Sequence, residues 1–346
     1  MSNPIILWAT LAAALLSPLA MSATLVVANK SEASVSLHSL PDGQEVARLP
    51  TGEAPHEVAV SPDGRLAVVT NYGTRAAAGG TLTVVDIVNA AVVRTITLAK
   101  ASRPHGIEWL DERTVVVTAE GIRSLLLVNV PSGETQATII IDQDVAHMVA
   151  SSGALGRAFV ANIGSGTATA VDLRSRKRLS NLAAGEGSEG IALARQEREL
   201  WLTNRAAGTV SVFATDTLEK LADIILPGFP IRAETDEARG LVYVTQPRED
   251  AMSAIDIATR RVSRRIVFDI APDPERKTLF GDMLPGSSIP VGVLLSGDGE
   301  TLFVAHSSAH LVSVWEAATL RRIGTITTGL EPDGMAWSPL DVARSD

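Results

Sequence analysis

From Ala23 onward, apolar and polar positions alternate in short runs, and nowhere do the apolar positions recur at helical spacing. Thr81-Leu82-Thr83-Val84-Val85-Asp86 and Thr209-Val210-Ser211-Val212-Phe213 show the period-2 pattern of half-buried strands. More apolar runs precede such strands: Val68-Val69-Thr70-Asn71, Phe159-Val160-Ala161-Asn162, Trp201-Leu202-Thr203-Asn204, Tyr243-Val244-Thr245-Gln246 and Phe303-Val304-Ala305-His306. Ser61-Pro62-Asp63-Gly64 and Ser296-Gly297-Asp298-Gly299 are turn sequences between strands. The pattern predicts strands throughout.

These strands recur as a unit. Its first run reads Pro55-His56-Glu57-Val58, Pro104-His105-Gly106-Ile107, Ala146-His147-Met148-Val149, Ser188-Glu189-Gly190-Ile191, Pro230-Ile231-Arg232-Ala233, Pro290-Val291-Gly292-Val293 and Pro332-Asp333-Gly334-Met335. The starts lie 49, 42, 42, 42, 60 and 42 residues apart. Four β-rich runs per unit describe a propeller blade. Before the first unit the chain supplies three strands, Thr24 to Ala28, Ser34 to Leu37 and Glu45 to Leu49; after the last start it supplies one, Gly334 to Trp337. Together they complete a further blade, which closes the ring and removes its sheet edges. The expected fold is all-β: a seven-bladed β-propeller of four-stranded blades. It fills residues 23–346 as one domain, closed by one C-terminal inner strand plus three N-terminal strands.

With Val-Thr-Asn ending the second strand, Ser-Pro-Asp-Gly before it and Pro-x-Gly-Val/Ile at the inner strand, the chain resembles the YVTN-repeat (YncE-like) seven-bladed propellers. More distantly it is similar to the haem d1 propellers of the cytochrome cd1 nitrite reductase type. The resemblance covers the whole chain after residue 22 and implies a fold and a secreted setting, not a reaction. WD40 and kelch repeats do not fit: Trp-Asp and Gly-His pairs are missing, and Gly-Gly occurs once, at Gly79-Gly80.

The first 22 residues read differently. An apolar run from Ile5 to Leu16, then Ser17, Pro18 and the small pair Ala20 and Ser22, is a secretory signal cleaved after Ser22. The run is too short for a hydrocarbon core of about 30 Å. The expected location is the periplasm or the extracellular medium, without a membrane span after cleavage. Cysteine is absent, which excludes disulfides, thiol nucleophiles and covalently attached haem.

A net charge of −9 argues against nucleic acid as partner. Arg174, Arg176, Lys177 and Arg178, then Arg260, Arg261, Arg264 and Arg265, then Arg321 and Arg322, fall beside third-to-fourth-strand turns, where charge protects an outer edge strand. The sequence has no serine-hydrolase elbow, Walker loop or His-Glu-x-x-His zinc motif. Gly185 to Gly190 matches Gly-x-Gly-x-x-Gly but lies between two strands in repeat register, so it reads as a blade-to-blade turn.

Candidate chemistry lies in one column. Aligned starts bring His56, His105, His147, Glu189, Ile231, Val291 and Asp333 to the heads of the inner strands, around the mouth of the channel. The next column adds Glu57 and Arg232, and His306 ends a second strand on the same face. These residues are the expected ligand-binding set, with His56, His105 and His147 as candidate metal ligands, since imidazole suits transition metals. The cofactor options are a transition metal or a non-covalent haem-type group.

Two departures from the 42-residue period fall on this face: seven extra residues around Tyr72 to Gly80, and eighteen between Phe268 and Pro290. The second, a Pro- and Gly-bearing insertion over 269–289, reads as a lid or partner-docking loop. The expectation is a monomeric accessory protein that binds a small molecule or protein partner through its loop face and channel mouth. The alternative is a metal- or cofactor-dependent enzyme or cofactor carrier, with lyase, lactonase or redox chemistry on the His56/His105/His147 arc.

Overall fold

A computed structural model describes residues 23–275, 278 and 283–343. The secretory signal expected over 1–22 and part of the 269–289 insertion lie outside the described residues. Seven four-stranded antiparallel sheets stand in a ring, a β-propeller. Blade 1 joins the two chain ends: Pro332–Ser338 is its inner strand, followed outward by Ala23–Asn29, Ser34–Leu40 and Glu45–Pro50. Thr24 pairs with Ser338 and Val27 with Met335, which is the predicted closure. Blade 2 runs Pro55–Val60, Leu66–Gly73, Ala78–Asp86 and Ala91–Thr97. Blades 3, 4, 5 and 7 have inner strands Pro104–Trp109, Ala146–Ser152, Ser188–Ala194 and Pro290–Leu295. In blade 6 the inner strand is only Ala233–Asp236, so Pro230, Ile231 and Arg232 precede it as irregular chain.

The core is divided among the joints between blades. Each of the seven joints has its own apolar cluster, as where Val68, Leu82 and Val84 of blade 2 meet Val115, Val117 and Leu126 of blade 3. An eighth, smaller cluster of Phe229, Ile231, Leu284, Ile289 and Val291 lies beneath the insertion on the loop face. The outermost strands are largely exposed, and the basic clusters at Arg174 to Arg178, Arg260 to Arg265 and Arg321–Arg322 lie on them or at their turns.

The asparagines that end the second strands are clamps. Asn71 Nδ2 donates to the hydroxyls of Thr81 and Thr83 on the third strand, and Asn204 does the same to Thr209 and Ser211. His306 fills the equivalent position of blade 7. Its Nε2 lies 2.8 Å from Ser313 Oγ and its Nδ1 2.7 Å from Ser288 Oγ.

Candidate functional site

The inner strands of blades 1 to 5 and 7 begin with a bulge. In blade 2, Pro55 pairs with Asn71 and Val58 with Val69, so His56 and Glu57 together oppose Thr70. Blades 1, 3, 4, 5 and 7 repeat the shift. The extra residue re-aims one side chain per blade into the channel mouth.

Threonine fixes this geometry. Thr70 Oγ1 accepts the Glu57 amide and donates to the His105 carbonyl of the next blade at 2.9 Å. Thr118 links the Gly106 amide to the His147 carbonyl, and Thr203 links the Gly190 amide to the Ile231 carbonyl. In blades 1, 3, 5 and 7 glycine follows the mouth residue, where the next inner strand passes close. A Cβ on Gly334 would lie 2.4 Å from the His56 carbonyl oxygen, and one on Gly190 would lie 2.3 Å from that of Ile231.

The predicted arc converges. The ring centroids of His56 and His105 are 4.3 Å apart, and those of His105 and His147 are 3.6 Å apart. The three imidazoles differ in their partners. His56 Nδ1 lies 2.7 Å from Asp333 Oδ2, yet burial and the Lys30 ammonium still lower its pKa to about 4. His147 Nδ1 lies 2.5 Å from Glu120 Oε1 and its Nε2 3.6 Å from Glu189 Oε1. Burial pulls the His147 pKa down, but these two carboxylates outweigh it and raise the pKa above the ordinary value. His105 lies between the other two, 1% exposed, and among the described residues neither ring nitrogen is hydrogen-bonded. Burial, then the neighbouring imidazoles, hold it well below the usual histidine range.

A second ring stands above the first. The residue directly after the second-strand asparagine column is Lys30, Tyr72, Glu120, Ile163 and Arg205 in blades 1 to 5, and all five line the mouth. Lys30 Nζ reaches Asp333 at 3.3 Å, and Arg205 reaches Glu189 at 2.6 Å. The Tyr72 hydroxyl donates to Glu120 Oε2 at 2.6 Å. Of these positions the sequence pattern marks only Tyr72, where the extra residues of blade 2 begin. The signal of the five together is a repeat column that carries ionisable side chains in place of turn residues.

Arg232 crosses the channel beneath the arc. Its guanidinium lies 2.7 Å from Glu57 Oε1, 3.4 Å from Glu189 Oε1 and 3.8 Å from Asp333 Oδ1. Against the burial penalty, His147, Arg205 and Arg232 bring the Glu189 pKa down to about 2, so it stays ionised. Further along the channel, burial pushes the Glu108 and Glu234 pKa values up to about 7. Glu108 accepts from Ser151 N and Oγ, each at 2.7 Å, and Glu234 from Leu295 N at 3.1 Å.

Seven of the eight predicted site residues therefore belong to one connected cluster, with Glu57 beneath the cavity as the partner of Arg232. His306 does not line this mouth. It is fully buried between strands in the asparagine position, and burial lowers its pKa to about 3.

The cavity above the arc holds about 760 Å³. Arg75 and Arg103 stand on one side, both on the hairpin and loop that extend blades 2 and 3. Val145, Ile163, Val291 and Met283 supply apolar wall. The extra residues near Tyr72 lengthen two strands, with Gly73 paired to Ala78, and so build rim. The described end of the 269–289 insertion is anchored on the same face, where Ser288 Oγ contacts both Asp250 and His306. Among the described residues, no helix is long and apolar enough to cross a membrane.

No protein-family model matches the chain, and no curated protein matches its sequence. Solved structures match its fold. A protein of unknown function from Desulfotomaculum acetoxidans superposes with a TM-score of 0.74 at 14% identity, over 91% of this chain and 98% of its own. The periplasmic gluconolactonase PpgL of Pseudomonas aeruginosa gives 0.71 at 17% identity, over 92% and 99%. The dihydro-heme d1 dehydrogenase NirN, solved in complex with DHE, gives 0.61 at 17% identity, over 90% and 74%. At these identities the likeness is one of fold, and the fold is the seven-bladed propeller.

Proposed function

We propose that this protein is a secreted, periplasmic ligand-binding propeller of the YVTN type. In this reading it is a monomeric accessory protein that takes a small organic anion into its channel mouth. One observation carries the proposal: a cavity of about 760 Å³, a size typical of small-molecule sites, has Arg75 and Arg103 on its rim. Neither arginine forms an ion pair among the described residues. A carboxylate or phosphate ester would meet these guanidinium groups, while its apolar part would lie against Val291, Ile163 and Met283. The Ile5–Leu16 run and the small pair Ala20 and Ser22 support secretion, and the loop face offers a surface for a protein partner that delivers or receives the ligand.

The test is thermal melting of residues 23–346 with a panel of aliphatic and aromatic carboxylates and phosphate esters. At least one class should raise the melting temperature, and Arg75→Ala/Arg103→Ala should abolish the rise. A flat panel, or an unaltered response in the double variant, would overturn the reading.

Buried His105 favours a second reading, an enzyme or cofactor carrier using the His56/His105/His147 arc for lyase, lactonase or redox chemistry. NirN is a dehydrogenase and PpgL a gluconolactonase, so the shared scaffold accommodates such chemistry in proteins of similar fold. A haem-type absorbance on the purified protein, or lactone hydrolysis lost in His105→Ala, would favour this second reading.

A further inference from the structure

His105 is buried, and among the described residues neither of its ring nitrogens has a hydrogen-bond partner. A neutral imidazole carries one donor and one acceptor. Leaving such groups buried and unmet is costly, so the site asks for a partner. Two further donors stand beside it: ligand atoms of His105, Glu120 and His147 lie within 4.8 Å of one another.

We propose that His105, Glu120 and His147 form a binding site for a first-row divalent transition ion of the zinc class, open to the channel-mouth cavity. The proposal rests on the ligand-binding reading above and gives that cavity a Lewis-acidic floor. A zinc-class ion takes such donors at bonds of about 2.0–2.2 Å, and its entry would replace the direct 2.5 Å contact of His147 Nδ1 with Glu120 Oε1. Two imidazoles and one carboxylate suit zinc, cobalt, nickel or iron, and disfavour calcium and magnesium, which take oxygen ligands. Three protein ligands on one side leave a coordination position facing the cavity, as in ions that accept a water or a substrate oxygen.

The surroundings fit such an ion. The Tyr72 hydroxyl holds Glu120 Oε2 at 2.6 Å and so orients the carboxylate, while Glu189 lies 3.6 Å from His147 Nε2. The nearby cations are engaged elsewhere, Arg205 and Arg232 with Glu189 and Glu57, Lys30 with Asp333. The candidate set read from sequence thereby changes by one member. His56 faces Asp333 at 2.7 Å, and Glu120, from the second ring, takes its place.

The experiment uses chelator-stripped protein, residues 23–346, titrated with Co²⁺ by visible absorption and with Zn²⁺ by calorimetry. Ca²⁺ and Mg²⁺ serve as controls. One equivalent of Co²⁺ should bind with the intense visible bands of a low-symmetry site, and Zn²⁺ should displace it. Glu120→Gln and His105→Asn should each weaken Zn²⁺ at least about tenfold, with the metal-free melting temperature recorded for each variant. His306→Asn should bind like the parent. Binding of well under one equivalent, or Glu120→Gln and His105→Asn binding as tightly as the parent, would overturn the proposal. If no ion binds while organic anions still raise the melting temperature through Arg75 and Arg103, the metal site alone fails. If the ion binds and no anion does, the ligand reading fails instead.

Discussion

Arg232 and Glu57 are 175 residues apart in the chain and 2.7 Å apart across the channel. They belong to blades 6 and 2, three blades from each other round the ring, so their contact ties together joints that share no strand. Arg232 also neutralises Glu189 and Asp333, which makes one guanidinium the counter-ion of three buried carboxylates.

Removing that guanidinium strands Glu57, while Glu189 keeps Arg205 and His147 and Asp333 keeps Lys30 and His56. Arg232→Met should destabilise the propeller by about 3–5 kcal/mol in urea unfolding at pH 7, the usual cost of an uncompensated buried charge. Adding Glu57→Gln should recover part of the loss. A single variant as stable as the parent would show that channel water, rather than Arg232, carries these charges.

Ring closure depends on Pro332–Ser338, the inner strand of blade 1. Deleting the residues beyond Glu331 exposes the edge of Ala23–Asn29 and opens the apolar cluster containing Leu25, Val27 and Met335. Loss of several kcal/mol and a broadened thermal transition are expected. A truncated chain that melts at the parent temperature would contradict the strap.

Glu108 and Glu234 give a pH signature. Their folded pKa values are about 7, against 4.5 for the ordinary side chain, because burial penalises the charged form. The folded state therefore holds more protons than the unfolded state between these values. The two groups make stability fall as pH rises through that window. Glu108→Gln/Glu234→Gln should be more stable than the parent at pH 8, by on the order of 1–2 kcal/mol per site after allowance for channel water, and no more stable at pH 4. Unfolding curves at the two pH values supply the comparison, and a constant difference would rule out raised carboxylates.

His306 can be tested as a strand clamp. His306→Ala leaves the Ser313 and Ser288 hydroxyls short of a partner, for an expected loss of about 1–3 kcal/mol. His306→Asn reinstates the side chain that other blades use against their third strand and should cost less. Neither change should alter binding at the mouth. Loss of binding in the asparagine variant with stability retained would return His306 to the site.

The architecture was legible because a propeller repeats itself. The 42-residue spacing and the anchors from Pro55 to Pro332 each mark a bulged inner strand or its equivalent, and the strand that starts at Pro332 completes blade 1. The inner ring was legible for the same reason, since His56, His105 and His147 share a register. Tyr72 and Glu120 were harder to see. They directly follow the ends of second strands, where side-chain type varies from blade to blade and position in the turn decides direction. The Arg232–Glu57 pair was hidden by distance along the chain, because alignment places residues in columns without saying which columns meet across a channel. His306 stands apart for a local reason: its column points between strands, as Asn71 and Asn204 do.

The threonine joints have a consequence for how such a molecule changes. Thr70, Thr118 and Thr203 grip backbone amides and carbonyls, and none of those bonds consults the side chain of the residue it holds. Each head so held, at His105, His147 and Ile231, is therefore a socket whose frame is indifferent to what is plugged into it. Replacing histidine by isoleucine, as Ile231 already illustrates within this chain, re-equips the mouth without redrawing the ring. A new specificity lies a few substitutions away, at heads whose backbone the threonines hold.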